Sequence, residues 1–146
     1  MSVPFLVVQI DGRRCALPAR QIETVLAAVA VTPTGASSNP QLLGAVNVRG
    51  TALPAFDLRR PQRVGIDDRM VLVALDSGHK RLLLCDGVEG LVNRDEAAGT
   101  DGRAMLPPAL ESPSGGYLVE DDGLTLIFDL TTLLADGGDQ WWGGAP

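Results

Sequence analysis

The sequence predicts a mostly β protein with short helical turns. Short apolar runs recur along the chain, and pairs such as Asp-Gly, Arg-Gly and Ser-Gly separate them, which is typical of strands joined by hairpins. Residues 21–31 combine helical spacing of apolar side chains with many Val, Thr and Ala residues, so we expect a short helical turn leading into a strand. The candidate strands contain Phe5 to Ile10, Val46 to Val48, Ala52 to Phe56, Met70 to Leu75, Leu82 to Cys85, Tyr117 to Val119 and Leu124 to Phe128.

Composition narrows the class of protein. The chain of 146 residues suits one domain, and its core must be aliphatic because 45% of the residues are hydrophobic and only 4% are aromatic. A net charge of -6 disfavours nucleic acid as a partner, since phosphate backbones bind basic surfaces. No apolar run is long enough to insert in a membrane and no secretory signal is evident, so we expect a cytoplasmic protein. Cys15 and Cys85 match no metal or redox motif and are expected to be small buried hydrophobic residues.

The sequence repeats itself weakly at a shift of 66 residues. Ile22 to Leu26 then lies over Val88 to Val92, and Gly12 lies over Gly78. A second echo, at a shift of 72 to 73, sets one turn and strand end over another: Arg49-Gly50 and Phe56-Asp57-Leu58 over Asp122-Gly123 and Phe128-Asp129-Leu130. The two echoes predict one strand plan used twice, in two subdomains that meet near residues 61–68.

Each Phe-Asp-Leu segment is interpreted as a strand that runs into the start of a helix, with Asp57 or Asp129 capping the first amides. We expect the folded domain to span residues 1–134, with some strand exchange possible between the subdomains. Residues 135–146 form a Gly-rich tail that contains Trp141 and Trp142. This pair folds back on the protein, is disordered, or contacts a partner.

No catalytic apparatus is evident in the sequence. His79 is the one histidine, and it follows Asp76-Ser77-Gly78 in an expected hairpin turn, where a histidine is a solvated group. An apolar-Asp-Ser-Gly string is also typical of aspartic proteases, but the echo position, Ile10-Asp11-Gly12, lacks the hydroxyl residue. No phosphate-binding glycine loop, nucleophile elbow or metal motif is present. We therefore expect a binding protein without a cofactor rather than an enzyme.

The segment GAVNVRGTALPAFDL, Gly44 to Leu58, carries a specific resemblance. It resembles the motif of the CheW-like domain family of bacterial chemosensory systems, and the matching residues are Gly44, Asn47, Arg49, Gly50, Pro54, Asp57 and Leu58. Flanking segments agree with the family pattern, from the first strand through CALPARQIETVL and LLLCDGVEGLV to LTLIFDLTTLL. The resemblance covers residues 3–134 and departs at Thr24, where the family often has Glu.

The resemblance implies both a fold and a function. It implies two small five-stranded β-barrels packed on a shared apolar core, in a non-catalytic cytoplasmic adaptor that couples chemoreceptors to a CheA-type histidine kinase. The implied partners are the regulatory domain of that kinase, the cytoplasmic tip of methyl-accepting chemoreceptors, and further CheW-like domains in a ring. The implied partner-binding residues are Val46, Asn47, Val48, Arg49, Gly50 and Leu53, of which the apolar ones are equally well explained as core.

The residues leave three points open. A small-molecule sensor with its ligand in the cleft between the barrels is the alternative function, although few convergent polar groups are evident. Without the resemblance, Arg49 is explained as a solvated residue at a hairpin tip. Pro54 lacks the N–H that a β-ladder needs, so we expect it on an edge strand or at a bulge.

Overall fold

Ten strands make up most of the chain that the structure describes, which in this computed structural model is residues 2–33, 39–95, 114–120 and 123–134. A 3-10 turn at Ala19–Gln21 leads directly into a strand, as predicted, and one turn of α-helix, α1, spans Leu130–Leu133. None of the described helices is long and apolar enough to span a membrane. The prediction of a mostly β protein is confirmed. The strands are β1 Ser2–Ile10, β2 Arg13–Pro18, β3 Ile22–Ala27, β4 Leu42–Val48, β5 Thr51–Phe56, β6 Arg69–Ala74, β7 Lys80–Cys85, β8 Gly87–Asp95, β9 Ser114–Glu120 and β10 Gly123–Phe128.

The strands form two five-stranded sheets that share one plan. The first sheet has the order β8-β1-β2-β10-β9 and the second has the order β3-β6-β7-β5-β4. In each sheet one pair is parallel, β2 with β10 in the first and β7 with β5 in the second. The third strand of each half is exchanged, since β3 pairs with β6 and β8 pairs with β1. Each sheet is therefore built from both halves of the chain, while the division into a domain and a tail stays a prediction.

The exchanged strands carry matching irregularities and matching ion pairs. Glu23 in β3 and Glu89 in β8 are each the extra residue where the register shifts against the neighbouring strand. Glu23 Oε1 lies 3.0 Å from Lys80 Nζ, and Glu89 Oε2 lies 2.9 Å from Arg14 Nε. The members of the two pairs are related by the same shift of 66 residues, so the repeat extends from the sequence to side-chain contacts.

Two clusters of buried apolar side chains hold the sheets. The shared core takes residues from both sheets and from α1: Leu6, Val8, Ile10, Cys15, Leu17, Phe56, Val71, Val73, Leu75, Leu83, Cys85, Leu130, Leu133 and Leu134. The second-sheet core lies within the second sheet: Val46, Leu53, Ala55, Met70, Leu72, Leu82 and Leu84. Alternate residues of β6 and β7 face the two clusters, which explains why both strands are continuous apolar runs.

Both cysteines lie in the shared core, as the sequence predicts. Cys15 and Cys85 are buried and free. Burial raises the pKa of the Cys15 thiol to about 12 and that of the Cys85 thiol to about 11. A protonated, buried thiol is a poor nucleophile, so both residues act as apolar packing groups.

The chain after β3 returns to the edge strand β4. Thr32 N–H donates to Ala45 O at 2.9 Å, and Ala45 N–H donates to Thr32 O at 2.8 Å. Gly44 permits this approach, because a Cβ there would lie 2.7 Å from Val31 Cγ1 and closer still to the Thr32 carbonyl oxygen. This isolated bridge does not make a continuous ladder, so among the described residues the sheets are open and the predicted closure into barrels stays a prediction.

The two Phe-Asp-Leu segments behave differently. Leu133 N–H donates to Asp129 O at 2.9 Å at the start of α1, so a helix begins there as predicted. The predicted helix start at Asp57 is wrong, since residues 57–68 contain no helix. The Asp57 side chain is instead fully buried, because it pairs with a neighbouring guanidinium rather than with helix amides.

Candidate functional site

The candidate site is the tip of the β4–β5 hairpin, where Arg49 and Gly50 form a two-residue turn between Val48 and Thr51. Arg49 has a φ of 52° and Gly50 has a φ of 85°. Positive φ at both central residues is the pattern of a type I′ turn, whose twist matches that of the paired strands. Gly50 adopts it freely, whereas the Cβ of Arg49 makes this conformation unfavourable by about 1–2 kcal/mol.

Asn47 holds the turn from within the hairpin. Its side-chain oxygen Oδ1 accepts a hydrogen bond of 2.9 Å from Gly50 N–H. Asn47 is exposed, so its side chain folds back on the turn although solvent is available to it. The conformation that displays Arg49 is therefore fixed by a side chain two residues earlier in the chain.

Arg49 itself is exposed. In the described part of the chain its guanidinium has no hydrogen-bonding or ion-pair partner, so its five N–H donors point to water. An arginine in this state is available to bind a carboxylate or a backbone carbonyl of another molecule.

The apolar residues predicted beside Arg49 lie underneath the turn. Val46 is 2% exposed and Leu53 is 8% exposed, and both belong to the second-sheet core. Val48 is half-buried and packs against the same cluster. Of the six predicted partner-binding residues, the exposed ones are therefore Asn47, Arg49 and Gly50. The predicted tail contacts, Trp141 and Trp142, lie outside the described residues.

Pro54 lies in an interior strand, so the expectation of an edge strand or a bulge is wrong. Its strand, β5, lies between β7 and β4, and the register shift of that hairpin falls elsewhere. Pro54 is opposite Ala45, whose N–H and C=O are both bonded to Thr32. The strand accepts the proline because Ala45 needs no N–H from it, and because pairing with β7 begins one residue later, at Ala55.

A second charged feature, which we call the Arg59 cluster, was not predicted. The guanidinium of Arg59 is 0% exposed, and all five of its N–H groups have an acceptor. Nε and Nη2 donate to the two carboxylate oxygens of Asp57 at 2.8 and 3.2 Å. Nη1 lies 2.9 Å from Asp68 Oδ2 and 3.0 Å from Asp86 Oδ1, and Nη2 also donates to Arg63 O at 2.7 Å.

The Arg59 cluster extends to the β1–β2 turn. Asp11 N–H donates to Asp86 Oδ2 at 2.6 Å. The Asp11 carboxylate accepts from Arg60 N–H and from Arg63 Nη2, each at 2.9 Å. Since Asp11 belongs to the first sheet and Asp86 joins β7 to β8, the cluster ties residues 57–68 to both sheets.

The local charges perturb the pKa values in this cluster. Burial alone would lower the pKa of Arg59, but its hydrogen bonds to Asp57, Asp86 and Asp68 raise it, so the guanidinium stays charged. Burial alone would raise the pKa of Asp11, but the bonds from Arg60 and Arg63 outweigh it and hold that pKa below its usual 3.8. Both groups are therefore ionised at neutral pH.

Asp76, Asp11 and His79, the candidate catalytic groups, are not brought together. Asp76 Oδ1 accepts from Arg20 at 2.7 Å on one turn, while Asp11 belongs to the Arg59 cluster on another. His79 is exposed, with Nδ1 3.3 Å from Ser77 Oγ. Among the described residues no group of His, Cys, Asp and Glu side chains has the arrangement of a metal site.

Comparison with known proteins agrees with the observed fold. The family model for the CheW-like domain matches residues 4–137. The chain is also similar to the crystal structure of the scaffolding protein TtCheW from Thermoanaerobacter tengcongensis, with a TM-score of 0.74 and 22% sequence identity, covering 94% of this chain and 91% of that chain. No curated relative matches the sequence. At this identity the structural similarity concerns the fold alone, whereas the family match extends over most of the chain.

Proposed function

The chain belongs to the family of CheW-like domains, and we propose that it is a non-catalytic scaffold that couples chemoreceptors to a CheA-type histidine kinase in a bacterial chemosensory array. The proposed partners are the regulatory domain of the kinase, the cytoplasmic tip of methyl-accepting chemoreceptors, and further CheW-like domains in a ring. In this role the protein works in the cytoplasm and is recruited to receptor arrays.

The observation that carries the proposal is the state of Arg49. It is the arginine of the family motif, and it is exposed at the tip of a hairpin whose turn is fixed by a side-chain hydrogen bond. A guanidinium held in this way can donate several charge-assisted hydrogen bonds at once to a carboxylate or to carbonyl oxygens. Such bonds give direction and specificity to a contact between proteins.

The residues around Arg49 divide the work of the site. Asn47, Gly50 and the half-buried Val48 form its accessible surface together with Arg49. Val46 and Leu53 support the hairpin from the second-sheet core. In this proposal a rigid hairpin presents one charge, because its base is packed and its tip is free.

The proposal is tested by recovering the partners and then by measuring the contact with purified components. The immobilised chain is incubated with a lysate of its native cells, and we expect mass spectrometry to identify a CheA-type kinase and a chemoreceptor. Titration calorimetry with the purified regulatory domain of that kinase then measures direct binding. If neither protein is recovered and the regulatory domain gives no binding heat, the proposed function is wrong.

The small-molecule sensor is not favoured by any observation on the described residues. The space between the sheets holds the shared core, which consists of Leu, Val, Ile, Phe and Cys side chains rather than convergent polar groups. A thermal-shift screen separates the two functions, because a true ligand raises the melting temperature by mass action. The scaffold proposal predicts no such shift with small molecules.

A further inference from the structure

Two hairpin turns of the protein have almost the same backbone but are held in different ways. Asp11 and Gly12 have φ values of 52° and 79°, close to the 52° and 85° of Arg49 and Gly50. Aspartate is several-fold enriched in the left-handed region, whereas arginine is not. The Arg49 turn therefore contains a residue that does not favour its own conformation, and something else must stabilise it.

The Asp11 turn is stabilised from outside its hairpin. Asp11 N–H is bonded to Asp86, and the Asp11 carboxylate is bonded to Arg60 and Arg63. The residue two positions before this turn, Gln9, does not bond it, since its Nε2 donates to a glutamate of β8 at 3.2 Å. This turn thus has three contacts from the Arg59 cluster and none from its own strand.

The Arg49 turn is stabilised from inside its hairpin. Among the described residues, the one side-chain hydrogen bond on the turn is that from Gly50 N–H to Asn47 Oδ1 at 2.9 Å. Asn47 stands two positions before Arg49, in the place that Gln9 occupies before Asp11. Arg49 keeps its side chain free because the stabilising bond comes from a different residue.

We propose that Asn47 is a positioning residue that holds Arg49 in the left-handed conformation, so that the free guanidinium is presented to the kinase regulatory domain. The bond replaces what an Asn or Asp at position 49 would supply by its own preference, and it leaves that position to an arginine. This inference rests on the proposed function for its binding partner, but its structural part, the state of the turn, is independent of it.

The acceptor atom is what matters in this proposal, and it suggests the variants. Asn47→Ala removes the acceptor, whereas Asn47→Asp keeps an oxygen in the same place that accepts the Gly50 N–H. Gln9→Ala is the matched control, because it changes the equivalent position of the other hairpin. The amide hydrogen exchange of Gly50, followed by NMR on the full chain, reports the bond, and titration calorimetry with the regulatory domain reports the presentation of Arg49.

We expect Asn47→Ala to speed the exchange of the Gly50 amide and to weaken binding, each by roughly three- to tenfold, the range of one net hydrogen bond. Asn47→Asp should restore both, and Gln9→Ala should change neither. Unchanged Gly50 exchange in Asn47→Ala would overturn the proposal. So would an Asn47→Asp chain that protects Gly50 yet binds as weakly as Asn47→Ala, because Asn47 would then contact the partner itself. A wild-type chain that does not bind the regulatory domain contradicts the proposed function, while the exchange measurement still decides the role of Asn47.

Discussion

Arg59 and Arg49 lie ten positions apart in the sequence and occupy opposite environments. Arg59 is 0% exposed, and each of its N–H groups faces an acceptor that belongs to the protein. Arg49 is exposed, and its guanidinium has no partner in the described part of the chain. The same side-chain chemistry is therefore consumed by the fold in one case and left available in the other.

The difference follows from the backbone rather than from the arginine. Residues 57–68 run between two sheets, where carboxylates from three segments converge on Arg59. Arg49 is carried past the end of the second sheet by a two-residue turn that no other described segment covers. An arginine inside a converging connection becomes structural, and an arginine on a protruding turn becomes a contact.

The largest expected effect is on the buried member of this pair. Arg59→Met leaves three carboxylates without their common partner, and removing one side of a buried charge pair costs about 3–5 kcal/mol. We expect the free energy of unfolding, measured by urea denaturation, to fall by this amount.

Arg49→Met is the matched control, since it makes the same change at the exposed arginine. Its free energy of unfolding should stay within about 0.5 kcal/mol of the wild type. The comparison breaks if Arg59→Met unfolds with the stability of Arg49→Met, because the Arg59 cluster would then have no structural role.

A smaller loss of stability is expected at the other end of the strand that carries the candidate site. A methyl group in Gly44→Ala would collide with Val31 and with the Thr32 carbonyl, which cannot withdraw while it is bonded to Ala45. Crowding of this kind costs about 1–3 kcal/mol. We expect a lower midpoint of urea unfolding.

Gly87→Ala is the control for this substitution, because a Cβ at Gly87 meets no heavy atom within 4 Å. That variant should be as stable as the wild type or slightly more stable. Equal stability of the two alanine variants would show that β4 is not held at Gly44, and that the base of the hairpin is looser than described.

The smallest effect concerns an arginine between the two extremes. Arg14 Nε bonds Glu89 at 2.9 Å, with side-chain exposures of 27% and 34%. The hydrogen bond from Arg14 holds the pKa of Glu89 below its usual 4.5. A lowered carboxyl pKa stabilises the fold above the unfolded pKa, and that contribution is lost as the pH falls through the folded value.

In Arg14→Met the pKa of Glu89, followed by an NMR titration, should rise towards 4.5. In Arg13→Met, which changes the neighbouring exposed arginine, it should not move. A Glu89 pKa that is the same in Arg14→Met and wild type would mean that this pair does not exist in solution.

The sequence was sufficient for features that depend on local pattern. Apolar alternation and turn pairs predicted the strands, and the motif around Arg49 predicted an exposed turn. The echo at 66 residues anticipated a repeated strand order, although neither the pairing of β3 with β6 nor that of β8 with β1 could be read from it. Strand exchange depends on which edge each third strand reaches, and no local pattern encodes that choice.

The Arg59 cluster could not be predicted for the same reason. Its partners come from positions 11, 57–68 and 86, which only the folded chain brings together. One signal was present, since Asp57 and Arg59 directly follow an apolar strand and stand where a helix start was expected. Two opposite charges two residues apart at a buried strand end are a reason to expect an ion pair instead of a helix cap.

The central claim, that Arg49 is a contact and not part of the fold, is tested most directly by titrating the purified kinase regulatory domain into Arg49→Glu. Arg13→Glu is the matched control, because it makes the same charge reversal at an exposed arginine beside the other turn of the same type. We predict that Arg49→Glu unfolds at the wild-type temperature and shows no measurable binding, while Arg13→Glu binds as the wild type does. Wild-type affinity in Arg49→Glu, with the fold intact, would contradict the account.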